Sequence, residues 1–403
     1  MHNRLYQREI QSVLLFEYFF FAVYTENMRT EQDTIDLIKK LTLASGLPGF
    51  EQDITKILQD ELKESSSTLL IDRIGNALWA FENTTDDADH HHSSSSDMPK
   101  ILLAAHQDEI GFIVSEILST GFIRIHNLGG WNPVTLPSSP VEITNWQGSK
   151  IPGIIGNISP HFLKDRKSNV PEIPDLFIDI GAASRLEVIE NFGIRIGDAV
   201  TPVTSYSYNE VSRCMMSKAF DDRIGTAALV ELGLRLSGKK GRENTMILAA
   251  TVQEEVGTRG AAVLANYIDA DIAIIIEGAP ADDLPGGPAY PQTCVRGGAH
   301  VRIFDPTMIA DRGLLNYIRE IACEQGLLIQ ETVRKGGGTD GKELHLAGRG
   351  IPSIVTGVPV RYAHSHNCLI SIDDFFQLVD LLEAICMGFN RKIRDRISKI
   401  VQY

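Results

Sequence analysis

Apolar and polar positions recur with different spacings along the chain, and each spacing predicts a type of element. Helical spacing predicts helices over 33–46, 51–62, 221–236 and 373–394. The segment 67–81 instead alternates around Gly75, as the two strands of a β-hairpin do. Short continuous apolar runs, such as "ILLAA", "MILAATV" and "DIAIII", predict buried strands. Strands and helices that follow one another in this way indicate the α/β class.

Residues 110–203 differ from the rest of the chain. Short β-rich pieces such as "GFIVSEI", "GFIRIHNL" and "IPGIIGNI" are separated there by Gly, Pro and Asn, which predicts a small β-barrel or sandwich. Because helical patterns lie on both sides of this region, we expect it to interrupt a discontinuous α/β domain that consists of 28–109 and 204–403.

Two segments fall outside these regular patterns. Residues 1–27 contain an apolar run with Glu17 in its middle, and the run is shorter than the about 20 residues of a membrane-spanning helix. We interpret 1–27 as a leader or as an N-terminal extension in front of Met28, and we expect no membrane partner. Residues 84–97 are a polar, low-complexity tract with consecutive histidines, which is typical of a solvated loop.

Composition and charge narrow the classes of function. The chain has 403 residues, of which 43% are hydrophobic, as in ordinary globular proteins. Its net charge of −14 argues against a nucleic-acid partner, because nucleic acid requires a basic surface. The five cysteines form no Cys-x-x-Cys pair, so we expect reduced thiols and a cytoplasmic location.

Metal-binding residue types follow the ends of the predicted strands. Ligands of open α/β sheets bind at the carboxyl ends of the strands, so we expect these side chains to meet at one edge. They are His106 after "ILLAA", Glu254 and Glu255 after "MILAATV", Glu277 after "DIAIII" and His364 after "IPSIVTG", with Asp221 at the start of a helix. Imidazole and carboxylate together suit Zn, Co, Mn or Fe. Two ions about 3.5–4 Å apart need roughly this supply of ligands.

The adjacent carboxylates of Glu254 and Glu255 predict a division of roles. In an extended segment, neighbouring side chains point to opposite faces. One carboxylate can therefore bind metal, while the other stays free and takes a proton from an attacking water as general base.

The motifs "AAHQDEIGF", "SKAFDDRIG", "TVQEEVGTRGA", "EGAPADDLPGG", "GGGTDG" and "VPVRYAHS" resemble, in order and spacing, those of the M42 family of metallo-aminopeptidases. The resemblance extends from Thr30 to Arg394. It implies a phosphorylase/hydrolase-like α/β catalytic domain with a mixed sheet, interrupted by a small β-barrel domain used for dimerisation. It also implies two divalent ions per chain, Zn or Co, short peptides as substrates, and homo-oligomers, often dodecamers assembled from dimers.

The resemblance further implies which residues hold the metal ions. The ligands would be His106, Asp221, Glu255, Glu277 and His364, and Glu254 would be the base. Asp221 would bridge the two ions. His364 would bind the same ion as Glu255, and Glu277 would bind the other.

Three further aspartates are expected to support this cluster. Asp108 would orient His106. Asp222 would follow Asp221 through a cis peptide bond, as such families often have. Asp340, in "GGGTDG", is a candidate acceptor for the ammonium group of the substrate, although a plain turn would also explain this motif.

The chain departs from the family pattern at two places. Many members have Asp where this chain has Glu277, and the usual "HSPxE" after the last histidine is "HSHNC" here, with His366 and Cys368. The second difference affects the expected substrate selectivity more than the expected metal binding.

Other functions fit some of these features. A related co-catalytic metal carboxypeptidase or deacylase would hold a substrate carboxylate with Arg361 or Arg334. Some family members are named endoglucanases, but a glycosidase needs two carboxyl groups across a sugar bond rather than two metals. A non-catalytic assembly protein of the same fold would lack a ligand or the base, and this chain has them all.

Overall fold

The computed structural model describes residues 29–84, 98–159, 161 and 171–400. The chain divides into two compact units, residues 1–37 and 38–403. Of the first unit, the structure describes the beginning of helix α1 (Glu31–Leu43). The predicted leader and nearly all of the polar tract lie outside the described residues. No helix within the described ranges is long and apolar enough to cross a membrane.

The second unit contains helices and strands in alternation. Its helices are α2 (Gln52–Leu62), α3 (Arg185–Glu190), α4 (Phe220–Leu236), α5 (Arg259–Leu264), α6 (Arg312–Gln325), α7 (Gly341–Leu344), α8 (Ile372–Gly388) and α9 (Arg391–Ile400). Its strands are β1 (Thr68–Ile71), β2 (Ala77–Phe81), β3 (Lys100–His106), β4 (Gly111–Ile117), β5 (Ile123–Leu128), β6 (Pro140–Thr144), β7 (Lys150–Ile155), β8 (Phe177–Asp179), β9 (Ala199–Pro202), β10 (Ser207–Asn209), β11 (Cys214–Ser217), β12 (Thr245–Thr251), β13 (Ile272–Pro280), β14 (Ala299–Asp305), β15 (Met308–Ile309), β16 (Ile329–Val333), β17 (Ser353–Val360) and β18 (Cys368–Ser371).

The main sheet has nine strands in the described residues, in the order β1-β2-β12-β3-β13-β17-β14-β15, with β16 paired to β14. Its central strands β12, β3, β13 and β17 are parallel to one another. Strands β2 and β14 flank this group in the antiparallel direction. The sheet is therefore mixed, and the predicted α/β class is confirmed. The predicted hairpin around Gly75 is also present, as β1 and β2.

The parallel centre of the sheet brings distant residues to one edge. Thr251, at the end of β12, pairs with His106, at the end of β3. Glu277 is not a strand end as expected, because β13 continues to Pro280 through its pairing with β17. It therefore lies inside the strand, close to its carboxyl end.

A closed barrel is formed by strands β4, β5, β8, β7, β6 and β9, in that order. Its interior is an apolar cluster of its own, which includes Phe112, Ile143, Ile178 and Val200. The structure thus contains the barrel rather than the sandwich of the two predicted forms. The domain boundaries at 109/110 and 203/204 stay a prediction.

Helix α4 lies against β3, β13 and helix α8. It is buried along most of its length, which explains why "IGTAALVELGL" is predominantly apolar. At its first turn, Asp221 and Asp222 have non-helical backbone angles and are joined by a cis peptide bond. This turn places Asp221 at the carboxyl edge of the sheet.

The closing helix expected over 373–394 is two helices instead of one. Helix α8 ends at Gly388, and the fully buried Phe389 has an extended backbone. The side chain of Asn244 donates hydrogen bonds to the carbonyl oxygens of Cys386 and Phe389, at 2.7 Å each. These long-range bonds satisfy the end of α8, and no local pattern could have predicted them.

Candidate metal centre

The carboxyl edge of the main sheet borders a cavity of about 960 Å³. The predicted ligands and base line it together, and they are His106, Asp221, Glu254, Glu255, Glu277 and His364. His106 comes from β3, Glu277 from β13 and Asp221 from the start of α4. The remaining three come from the loops after β12 and β17. The fold therefore brings these six residues, which are far apart in sequence, into one cluster.

Asp221 lies between the two imidazoles. Its Oδ1 is 3.3 Å from Nε2 of His106, and its Oδ2 is 3.3 Å from Nε2 of His364. Glu277 Oε2 lies 3.7 Å from the same nitrogen of His106. Glu255 Oε1 lies 3.6 Å from the same nitrogen of His364. We refer to His106 and Glu277 as the first half-site, and to His364 and Glu255 as the second half-site; Asp221 faces both.

Asp222 supports the first half-site. Its carboxylate accepts hydrogen bonds from the backbone N–H groups of His106, at 3.2 Å, and of Gly225, at 3.0 Å. Ligand-type atoms of His106, Asp222 and Glu277 also lie within 4.8 Å of one another. Because two N–H groups already engage Asp222, it is better placed to hold His106 than to bind an ion itself.

The cluster holds more negative charge than nearby cationic side chains neutralise. Among the residues that the structure describes, no lysine or arginine forms an ion pair with Asp221, Glu254, Glu255 or Glu277. Burial raises the pKa of Glu255 to about 7 and raises the pKa of Glu254 and Glu277 well above their usual range. Unpaired buried carboxylates are costly, so this cluster fits bound cations. Its mixture of imidazole and carboxylate suits Zn, Co, Mn or Fe.

The pKa values of the two histidines are raised as well, but here neighbouring carboxylates are the cause. Burial lowers the pKa of His364, but the hydrogen bond to Asp221 and the charge of Glu255 outweigh burial and raise this pKa to about 10. Burial likewise lowers the pKa of His106, and its bonds to Asp108 and Asp221 outweigh that effect. Without ions, the carboxylates therefore hold protons on both imidazoles. A metal ion must displace these protons, so metal affinity depends on pH.

The Glu254–Glu255 pair lies in a turn, not in an extended segment. Gln253, just before it, has a left-handed φ of +57°. The carboxylate of Asp108 accepts hydrogen bonds from the backbone N–H of Glu254, at 2.9 Å, and of Glu255, at 3.0 Å. Glu51 accepts the N–H of Gln253 at 3.1 Å. We refer to Asp108 and Glu51 as the turn clasp. The clasped turn, rather than strand alternation, separates the two carboxylates.

Asp108 contacts His106 differently from the expectation. Nδ1 of His106 lies 3.1 Å from the backbone carbonyl oxygen of Asp108 and 3.5 Å from its carboxylate. The carbonyl group therefore orients the imidazole, and the carboxylate mainly holds the turn.

Asp340 does not line the cavity, although it was a candidate acceptor for a substrate amine. It is 1% exposed, and its carboxylate accepts a hydrogen bond from the hydroxyl of Thr251. Burial raises its pKa to about 6. The structure therefore gives Asp340 a position behind the cluster and away from a bound peptide.

The sequence did not reveal the basic side of the cavity. Four cationic residues line it, and they are Arg302, Arg334, Lys335 and Lys342. Lys342 lies 2.9 Å from Glu343, whereas Lys335 has no ion pair within the described part of the chain. The available signal was "RKGGG", in which two cations precede a flexible glycine segment.

The chain is similar to known peptidases. The model of the M42 glutamyl aminopeptidase family matches residues 90–381. The chain is 32% identical over 373 residues to the glutamyl aminopeptidase of Lactococcus lactis subsp. cremoris. The aligned region covers 92% of this chain and 100% of that protein.

Solved structures of aminopeptidases also superpose on the chain. A TET aminopeptidase from a marine sediment archaeon, a Thaumarchaeota archaeon, has a TM-score of 0.83 at 32% identity, over 91% of this chain and 99% of that one. The TET1 peptidase of Pyrococcus horikoshii, which can assemble into a tetrahedron or a large octahedral shell, has a TM-score of 0.77 at 29% identity, over 88% of this chain and 100% of that one.

Proposed function

Because the chain belongs to the M42 glutamyl aminopeptidase family, and is therefore a hydrolase, we propose that it is a two-metal aminopeptidase that removes N-terminal residues from short peptides. The observation that carries the proposal is the position of Asp221, whose carboxylate oxygens each lie 3.3 Å from a different imidazole. A carboxylate in this position can bridge two ions. The two half-sites then supply each ion with one more imidazole and one more carboxylate.

Each half-site would hold one divalent ion, Zn or Co, beside the shared Asp221. Ions bound there would act as Lewis acids, polarising the scissile carbonyl group and acidifying the attacking water. The chain itself fixes the ligands before substrate arrives. Asp222 holds the backbone of His106, and the turn clasp holds the backbone of Glu255.

Glu254 is the carboxylate that this arrangement leaves for proton transfer. It lines the cavity beside both half-sites. In the described part of the chain, no side chain hydrogen-bonds its carboxylate. It can therefore accept a proton from the attacking water while the oxygen of that water bonds to the carbonyl carbon. The same proton then passes to the amine that leaves as the C–N bond breaks.

The distribution of charge in the cavity supports a preference for peptides with an acidic first residue. Lys335 lines the cavity and offers an unpaired positive charge to an acidic side chain on the first residue of a peptide. Arg302 is already 3.2 Å from Asp305, and Arg334 donates to the carbonyl oxygen of Pro280 at 2.6 Å. The activity named for the Lactococcus relative, glutamyl aminopeptidase, agrees with this preference.

A related carboxypeptidase or deacylase is the alternative. Arg361, one candidate for holding a substrate carboxylate, is paired with Asp283 at 2.5 Å. This contact favours the aminopeptidase. The test is a pair of otherwise identical short peptides, free and N-acetylated, followed by mass spectrometry. We expect stepwise loss of N-terminal residues from the free peptide alone. Equal cleavage of both, or cuts from the C-terminus, would establish the alternative.

The roles of the adjacent glutamates can be separated by substitution. Glu254→Gln should retain bound metal while kcat falls at least about 10²-fold, the usual scale for loss of a general base. Glu255→Gln should instead reduce metal content. Elemental analysis and steady-state kinetics on both variants test the assignment, and exchanged phenotypes would overturn it.

We also propose that the chain forms a cytoplasmic homo-oligomer, a dodecamer built from dimers. The barrel exposes large apolar side chains, including Trp146, which is 57% exposed, and Ile196, which is 63% exposed. Such residues are suited to an interface between copies. The tetrahedral assembly of the Pyrococcus TET1 peptidase supports the proposal. Light scattering tests it, and an active monomer at micromolar concentration would contradict it.

A further inference from the structure

We propose that the turn Gly129–Gly130 of the barrel region positions the second half-site, and that it does not influence the first. The barrel would then determine the affinity of one of the two ions separately from the other. The inference rests on the proposed two-ion site, and it concerns residues that the sequence motifs did not single out.

A hydrogen bond links the turn to His364. The carbonyl oxygen of Gly130 accepts a hydrogen bond from Nδ1 of His364 at 2.7 Å. The proton on Nδ1 leaves Nε2, which faces Asp221 and Glu255, free to bind a metal. Partners of this kind fix both the tautomer and the ring orientation of a ligating histidine. His364 itself has a left-handed φ of +61°, so its loop is held in an uncommon conformation.

The turn also approaches both ligands of the second half-site so closely that an added Cβ atom would crowd them. A Cβ atom on Gly130 would lie 3.3 Å from Nδ1 of His364. A Cβ atom on Gly129 would lie 3.1 Å from Oε2 of Glu255, and its φ of +84° also favours glycine. The atoms within 4 Å of the Cβ position on Gly130 belong to the His364 ring alone. Gly130 therefore contacts the second half-site and not the first.

The barrel fixes the position of this turn. The side chain of Asn127, on β5, donates a hydrogen bond to the carbonyl oxygen of Gly129 at 2.7 Å. Trp131, which follows the turn, stacks on Phe112 with ring centroids 5.0 Å apart. Phe112 belongs to the barrel interior. The barrel thus holds the turn of two glycines in place, and the turn contacts His364.

The experiment is metal binding to Gly130→Ala, measured without substrate. Metal-free protein is titrated with Zn²⁺ by calorimetry and with Co²⁺ by visible absorption. We expect one ion to bind as in the wild type and the other about 10- to 100-fold more weakly, because the added Cβ would displace the His364 ring from its partner, and disturbing such a partner usually has an effect of this size. The Co²⁺ spectrum of this variant should resemble that of His364→Ala rather than that of His106→Ala. Asn127→Ala, which removes only the anchor of the turn, should have a smaller effect of the same kind.

Gly153→Ala is the matched control. Its Cβ would lie 2.7 Å from Ile178, so it crowds the barrel but touches no metal ligand. We expect it to bind both ions normally. If the wild type binds fewer than two ions, the proposed function is wrong. If the wild type binds two, three results would overturn the inference: unchanged affinities in Gly130→Ala, equal weakening of both ions, or the same selective loss in Gly153→Ala. Should Gly130→Ala fail to fold, Asn127→Ala decides the question by the same criteria.

Discussion

The turn clasp allows a prediction that does not depend on bound metal. Asp108 is fully buried, and its two carboxylate oxygens accept the backbone N–H groups of Glu254 and Glu255. Asp108→Ala would remove both acceptors and leave these N–H groups without protein partners. A hydrogen bond to a charged group contributes about 1.5–3 kcal/mol.

Hydrogen exchange measures this loss at the turn itself. A change of about 1.4 kcal/mol alters an equilibrium tenfold, so the amides of Glu254 and Glu255 should exchange roughly 10- to 100-fold faster in Asp108→Ala. Mass spectrometry of metal-free protein would follow the peptide that spans the turn. Asp108→Asn keeps one acceptor oxygen and should have an intermediate effect.

Asp269→Ala is the control for this measurement. Its carboxylate is 86% exposed and paired with Lys100 at the surface, so its loss should not change exchange at the turn. If exchange in Asp108→Ala were the same as in the wild type, other contacts would hold the turn, and the account of how the two glutamates diverge would be wrong.

Other charged residues give three more predictions. Lys335→Met should lower kcat/KM for a glutamyl anilide about tenfold relative to a leucyl anilide, whereas Lys342→Met, whose charge is already paired, should leave this ratio unchanged. Lys218→Met would deprive the buried carboxylate of Glu109 of its nearest cation and should lower stability by about 3–5 kcal/mol, seen as a lower melting temperature; an unchanged melting temperature would contradict this. Burial raises the pKa of Glu51 from 4.5 to about 7, so the folded protein keeps a proton that the unfolded chain loses within this window. Stability should therefore fall by up to about 3 kcal/mol as pH rises from 4.5 to 7, and denaturant titrations should show a smaller fall in Glu51→Gln.

Much of the chemistry at the strand ends was readable from the sequence. Apolar runs are local, so the strands and the polar residues that follow them can be identified without any contact. The parallel arrangement of such strands then predicts that their carboxyl ends lie together, and His106 on β3 and Glu277 on β13 are 3.7 Å apart there. The helices at 51–62 and 221–236 and the hairpin around Gly75 follow from local periodicity in the same way.

The division of the cluster into two half-sites required the tertiary structure. Asp221 faces two histidines that lie on either side of it in sequence, more than a hundred residues away in each direction. The distances between Asp221 and these histidines depend on the register of the sheet and on the conformation of loops. Hydrophobic periodicity predicts neither. The turn clasp of Asp108 and Glu51 could not be predicted for the same reason. Its carboxylates accept hydrogen bonds from backbone N–H groups, which every residue except proline has, so the residue types in the turn do not indicate these contacts.

Other features also depend on long-range contacts. Asp340 looked like a cavity residue in its glycine-rich motif, but burial against Thr251 removes it from the cavity. The closing helix ends at Gly388, where Asn244, from a distant segment, donates hydrogen bonds to the carbonyl oxygens of Cys386 and Phe389. The sequence by itself thus determined the elements with clear local periodicity and the ligand types near their ends, since both are properties of neighbouring residues. Only the tertiary structure decided which of those groups meet, because burial and hydrogen bonding are fixed by segments that are far apart along the chain.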